Sequence, residues 1–191
     1  MADDVVLGVS IAVPSPHAGI LVEARHRSGD EHALLVPPHV TLLPPTRIDR
    51  AELSRIEDHL AGAAAAVGPF SMHLSGTGTF RPVSQVVFVQ VAAGLAECEM
   101  LEARVRSGPL GRDLDFPYHP HVTVAQDVDP AALDRTYESL QDFVARFPVS
   151  AFTLFERGKD GAWHPRREFP LGASAACEAT FVRLSTVRKR G

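Results

Sequence analysis

Apolar residues follow two rhythms along this chain: short β-branched runs, and longer stretches in which they recur every three or four positions. The first pattern predicts strands and the second predicts helices packed on one face. Val5 to Val13 reads as a buried strand. Ser15-Pro16 then supplies an N-cap and a first-turn proline for a helix reaching Ser28, with Ile20, Leu21 and Ala24 inward and Gly29 as its stop. Leu34 to Leu43 is the next strand, bracketed by Pro37-Pro38 and Pro44-Pro45, which cannot donate to a ladder and are expected to mark its limits. Asp49 and Glu52 open a second helix in capping-box fashion, and Leu53, Ile56, Leu60, Ala64 and Val67 give it an apolar stripe before Gly68-Pro69. Phe70 to Gly76 is predicted as a strand, followed by a Gly-Thr-Gly-Thr-Phe-Arg-Pro connection and a strand from Gln85 to Val91.

The same alternation continues in the second half. Leu95, Cys98, Leu101 and Val105 mark a helix closed by Gly108-Pro109, and Leu110 to Tyr118 leads into another strand. A helix capped at Asp129-Pro130 carries Leu133, Tyr137, Leu140 and Val144 on one side. Phe147 to Arg157 and Trp163 to Leu171 flank a hairpin loop, Gly158 to Gly161. His17, His26 and His32 fall at polar positions and read as surface residues. Trp163 is read as packing on the hairpin in preference to stacking on a base.

Within this alternation one motif occurs twice. Pro38-His39-Val40-Thr41-Leu42 and Pro120-His121-Val122-Thr123-Val124 share a proline, His-Val-Thr and a branched apolar residue. Residues two apart on a strand share a face, so each copy sets an imidazole beside a hydroxyl while its valine faces a core. Each copy is preceded by an apolar run and a helical stretch, and followed by a helix-capping Asp, Asp49 or Asp129, with Leu53 or Leu133 four residues on. The chain therefore reads as a duplicated β-α-β-α-β unit, with repeats at about residues 5–80 and 85–171. No low-complexity linker separates the halves, and they are expected to exchange strands within one body.

A length of 191 residues with 45% hydrophobic content suits one packed domain. The net charge of −4 carries no global signature of nucleic-acid binding, so an anionic ligand needs a local basic patch. Residues 172–191 form a basic tail with Arg183, Arg188, Lys189 and Arg190, read as a loose terminus. Cys98 and Cys177 stand alone, without metal-ligand spacing or a disulfide framework. No apolar stretch is long enough to span a bilayer, and the acidic start is unlike a secretory signal, so a cytoplasmic protein is expected.

Two imidazoles are suited to proton transfer near neutrality. In-line attack on a phosphodiester needs a proton taken from water on one side and given to the leaving oxygen on the other. His39 and His121 are the candidates for that work, with Thr41 and Thr123 donating to non-bridging oxygens and no metal or other cofactor required. Arg81, Tyr118 and Gln126 are candidate substrate contacts. Competing readings are a zinc site built from His119, His121 and His39, a non-catalytic module that holds a nucleotide or RNA phosphate, and purely structural histidines.

Paired His-x-Thr motifs, one in each half of a duplicated α/β chain of this size, resemble the two-histidine (2H) phosphoesterase superfamily, which includes the 2'-5' RNA ligases and RNA 2',3'-cyclic phosphodiesterases. The resemblance covers Val5 to about Leu171. It implies an α/β (α+β) fold made of one bilobal domain, with mostly antiparallel sheets around a central cleft. It also implies metal-independent hydrolysis of cyclic phosphodiesters at nucleotide or RNA ends, with His39, Thr41, His121 and Thr123 carrying the motif. For a 2',3'-cyclic substrate the 3' oxygen leaves and a 2'-phosphomonoester remains. His121 is read as base and His39 as acid, and a bell-shaped pH profile with limbs either side of neutrality is expected. Many RNA-end members place an Arg shortly after the second motif, where this chain has Gln126. A monomer is expected.

Overall fold

The structure is a computed structural model that describes residues 4–112 and 116–172. Most of the basic tail, with Cys177, lies outside the described residues. In chain order the elements are β1 (Asp4–Ala12), α1 (His17–Arg27), β2 (His39–Asp49), a 3-10 turn (Arg50–Glu52), α2 (Leu53–Ala65) and β3 (Phe70–Thr79). Then follow β4 (Val86–Ala93), α3 (Leu95–Val105), a 3-10 turn (Gly108–Leu110), β5 (His121–Gln126), α4 (Pro130–Ser139), β6 (Val144–Val149), β7 (Ala151–Arg157) and β8 (Trp163–Pro170).

The strands form two four-stranded sheets, ordered β2-β1-β7-β8 and β5-β4-β3-β6, and every pairing is antiparallel. The two units read from the sequence occupy this order as follows. Each unit keeps its first two strands together and sends a later one across: the first unit's third strand, β3, pairs with β4, and the second unit's fourth strand, β7, pairs with β1. Helices are shared in the same way, with α1 lying beside α4 against β5 and α3 beside α2 against β2. Neither half covers its own apolar faces. Leu7, Val9, Leu42 and Leu60 from the first half and Val89, Leu101, Val122 and Leu154 from the second join one buried core.

Several sequence expectations are corrected. Pro44-Pro45 do not end β2, which continues to Asp49. The β1–β2 register slips between Leu7 and Val9, so a bulge absorbs the prolines, and β2 is an edge strand on which missing donors cost nothing on the open side. Its start is also later than expected, at His39, because residues 31–38 form turns and an irregular segment. Pro16 occupies the N-cap of α1 in a helical conformation with no side-chain cap, so Ser15 stands outside the helix. The inward stripe of α1 is Leu21, Arg25 and Ser28, which leaves Ile20 51% exposed. On α4 the stripe is Leu133, Thr136 and Leu140; Tyr137 lies at its margin, and Val144 belongs to β6 and faces outward.

The expected Gly-Thr-Gly-Thr connection is instead the end of β3, carried past Gly76 (φ 69°) by a register slip between Leu74 and Thr77. The strand expected over 147–157 is two strands in different sheets. Inward positions run 145, 147, 149 and then 152, 154, a change of phase around Ser150 that the apolar run conceals.

Candidate active site

β2 and β5 are edge strands of different sheets and approach one another. Their period of two does what the motif requires. Val40, Leu42, Val122 and Val124 are at most 1% exposed, while His39, Thr41, His121 and Thr123 stand half-buried on the opposite faces.

Both imidazoles are anchored alike. Nδ1–H of His39 donates to the Pro37 carbonyl (2.7 Å), and Nδ1–H of His121 donates to the His119 carbonyl (2.7 Å). In each neutral ring this leaves Nε2 as the unprotonated nitrogen. Nε2 of His39 lies 3.1 Å from Oγ1 of Thr41, whose hydroxyl donates to it when the ring is neutral. Burial holds both histidines below their ordinary pKa; the nearby Arg25 adds to this at His39, and at His121 the partner His39 and His119 add to it. The carbonyl bonds oppose the lowering without reversing it.

Two cavities meet at Thr41. The first, about 250 Å³, is bordered by Ser10, Arg25, His39, Thr123, Gln126 and Trp163. The second, about 460 Å³, is mostly apolar and is bordered by Phe80, Phe116, Tyr118 and His121. Phe80 and Phe88 wall the His121 ring at centroid distances of 4.9 and 5.1 Å. Gly78 makes this packing possible, since a Cβ there would sit 2.5 Å from the Phe88 ring.

The other sequence candidates have distinct placements. Tyr118 borders the second cavity, and its hydroxyl donates to the Thr41 carbonyl (2.9 Å), tying the approach to the second motif onto the first. Burial pushes that phenol's pKa upward. Gln126 borders the first cavity with its amide turned to the Asp127 carboxylate (3.1 Å). Arg81 does not border either cavity; it pairs with Asp134 of α4 at 2.8 Å. The Trp163 indole packs across Gly8 and also borders the first cavity.

His17 departs from the surface reading: it is half-buried against Phe143 and Phe147. The residue that sequence reasoning missed is Arg25. Its signal was available, a basic residue four positions after Leu21 on the inward stripe of α1. For the zinc reading, the His119 and His121 rings lie nearly parallel with centroids 6.1 Å apart, and no group of three or more metal-ligating side chains converges among the described residues.

Two antiparallel sheets that exchange strands thus bring one His-Val-Thr motif to each of two approaching edge strands. Consistent with this, residues 13–161 match the family model of the 2'-5' RNA ligase superfamily, and the chain belongs to that family. A Bacillus thuringiensis (strain Al Hakam) protein named "Putative phosphoesterase" is 30% identical over 147 residues, covering 75% of this chain and 84% of its own. Among solved structures, TT0787 of Thermus thermophilus is 26% identical with a TM-score of 0.62, covering 88% of this chain and 99% of its own. E. coli LigT complexed with 3'-AMP shares the fold at 19% identity and a TM-score of 0.58, over 88% of this chain and 99% of its own.

Proposed function

We propose that this phosphoesterase hydrolyses a 2',3'-cyclic phosphodiester, or a related small cyclic phosphodiester, on a nucleotide or RNA end by acid–base catalysis between its two motif histidines. The observation that carries the reading is the matched anchoring of His39 and His121: each gives Nδ1–H to a carbonyl two residues earlier and leaves Nε2 for proton transfer. Neutral His121 takes a proton from water as its oxygen attacks phosphorus. Protonated His39 gives its proton to the departing 3' oxygen, and a 2'-phosphomonoester remains. Thr41 and Thr123 donate to the non-bridging oxygens, each bond to a charged group contributing roughly 1.5–3 kcal/mol. None of these steps calls on a metal. E. coli LigT has been crystallised with 3'-AMP, phosphate, ATP and NADP+, which supports a nucleotide phosphate as the kind of ligand this cleft takes.

The test is product analysis by phosphorus NMR with 2',3'-cyclic nucleotides and a cyclic-phosphate-ended oligonucleotide. The 2'-monophosphate is the expected product. Release of the 3'-monophosphate would overturn the assigned leaving group. Saturable binding of cyclic phosphates that stay intact through long incubation would replace catalysis with a binding module.

A further inference from the structure

We infer that Arg25 is an anion-binding residue of the cleft, its terminal guanidinium nitrogens taking a phosphate oxygen beside His39. Arg25 is 7% exposed, yet it borders the first cavity together with His39, Thr41 and Thr123. Its Nε donates to Asp30 (2.8 Å), a carboxylate that is itself 4% exposed. Asp30 is fixed in turn by the backbone N–H of His32 (2.9 Å). Among the described residues, the two Nη nitrogens make no hydrogen bond to the protein. A purely structural arginine on a helix's inner stripe normally directs its whole fork at protein acceptors, because buried unpaired donors are costly. Here the Nε edge is engaged by Asp30, and the residue borders the first cavity beside His39, Thr41 and Thr123.

The charges around it are few. Asp30 and His32 come from the turn after α1, His39 comes from β2, and among the described residues Arg25 is the one Arg or Lys that lines the cavity. It thus brings a guanidinium from α1 to the cavity where Gln126 offers none after the second motif, its charge shared with Asp30. Its influence on His39 has the sign expected of a cation close by. The inference rests on the phosphodiester reading for its place in the reaction, but binding tests it separately.

The experiment titrates inorganic phosphate into the intact protein, following the Arg25 Nε–H and His39 ring signals by NMR and affinity by calorimetry, with Arg25→Gln and Arg25→Lys alongside. Phosphate should move the wild-type Arg25 signal. Arg25→Gln should weaken phosphate binding roughly 10–100-fold, the size expected for losing hydrogen bonds to a charged group. It should also raise the pH at which His39 titrates, and Arg25→Lys should restore much of both. A wild-type Arg25 signal indifferent to phosphate overturns the inference even if the Gln variant fails to fold. So does a folded Arg25→Gln protein with unchanged phosphate affinity and unchanged His39 titration. Arg25-dependent phosphate binding without turnover of any cyclic phosphate would overturn the proposed reaction and leave this site standing.

Discussion

At the scale of single residues, two half-buried imidazoles are partly withdrawn from water. Desolvation disfavours their charged forms, so both titrate below the ordinary value of about 6.5. The pH–rate profile of kcat/KM, which reports the free enzyme, should therefore be a bell displaced to the acid side of the near-neutral position expected from sequence. The kcat profile should lie at higher pH, because a bound phosphate anion favours the imidazolium; coincident profiles would count against direct contact. Stability has a matching sign. As pH falls through about 6.5 the unfolded chain takes up these protons before the native chain does, so native stability present above that value drains away toward the lower folded pKa. Urea unfolding at pH 7 and pH 5.5 should show a smaller loss for the double variant His39→Asn/His121→Asn than for the intact protein. An equal loss would place the acid sensitivity elsewhere. The motif residues were legible in the sequence because strand period alone sets which side chains share a face. Arg25 left only the weak signal of its spacing from Leu21, which became readable once the rotation of α1 was known, and the Tyr118 bond to Thr41 left none, because it spans 77 positions.

At the scale of elements, strand existence was legible and strand limits were not. Pro44-Pro45 would interrupt a central strand, and only the sheet order reveals that β2 is an edge. The turn from β6 to β7 is likewise invisible in an apolar run whose phase changes once. Two substitutions probe how elements hold the site. Gly78→Ala forces a methyl against Phe88, which packs on His121, and overpacking of this kind should cost about 1–3 kcal/mol in chemical denaturation and lower kcat. Tyr118→Phe leaves the Thr41 carbonyl without its phenol donor, with an expected loss of roughly 1–2 kcal/mol. Wild-type stability in both variants would remove these contacts from the account.

At the scale of the whole molecule, each of the two units read from the sequence completes its sheet with a strand of the other. Unfolding should then be a single cooperative transition by far-ultraviolet dichroism and by Trp163 fluorescence. A fragment ending at residue 82 lacks β7 and β8 and should not fold; a folded fragment would refute the interdependence. The exchange also aligns the two motif strands across one cleft, so the central claim concerns both halves at once. The most direct measurement is turnover of a 2',3'-cyclic nucleotide in EDTA by the intact protein, His39→Ala, His121→Ala and the double variant. Metal-free turnover, a loss of about 10²–10⁴ for each single change, and a double variant little worse than the singles are expected of two groups acting as a unit. Single variants that retain near-wild-type rates, or activity that requires an added divalent metal, would contradict it.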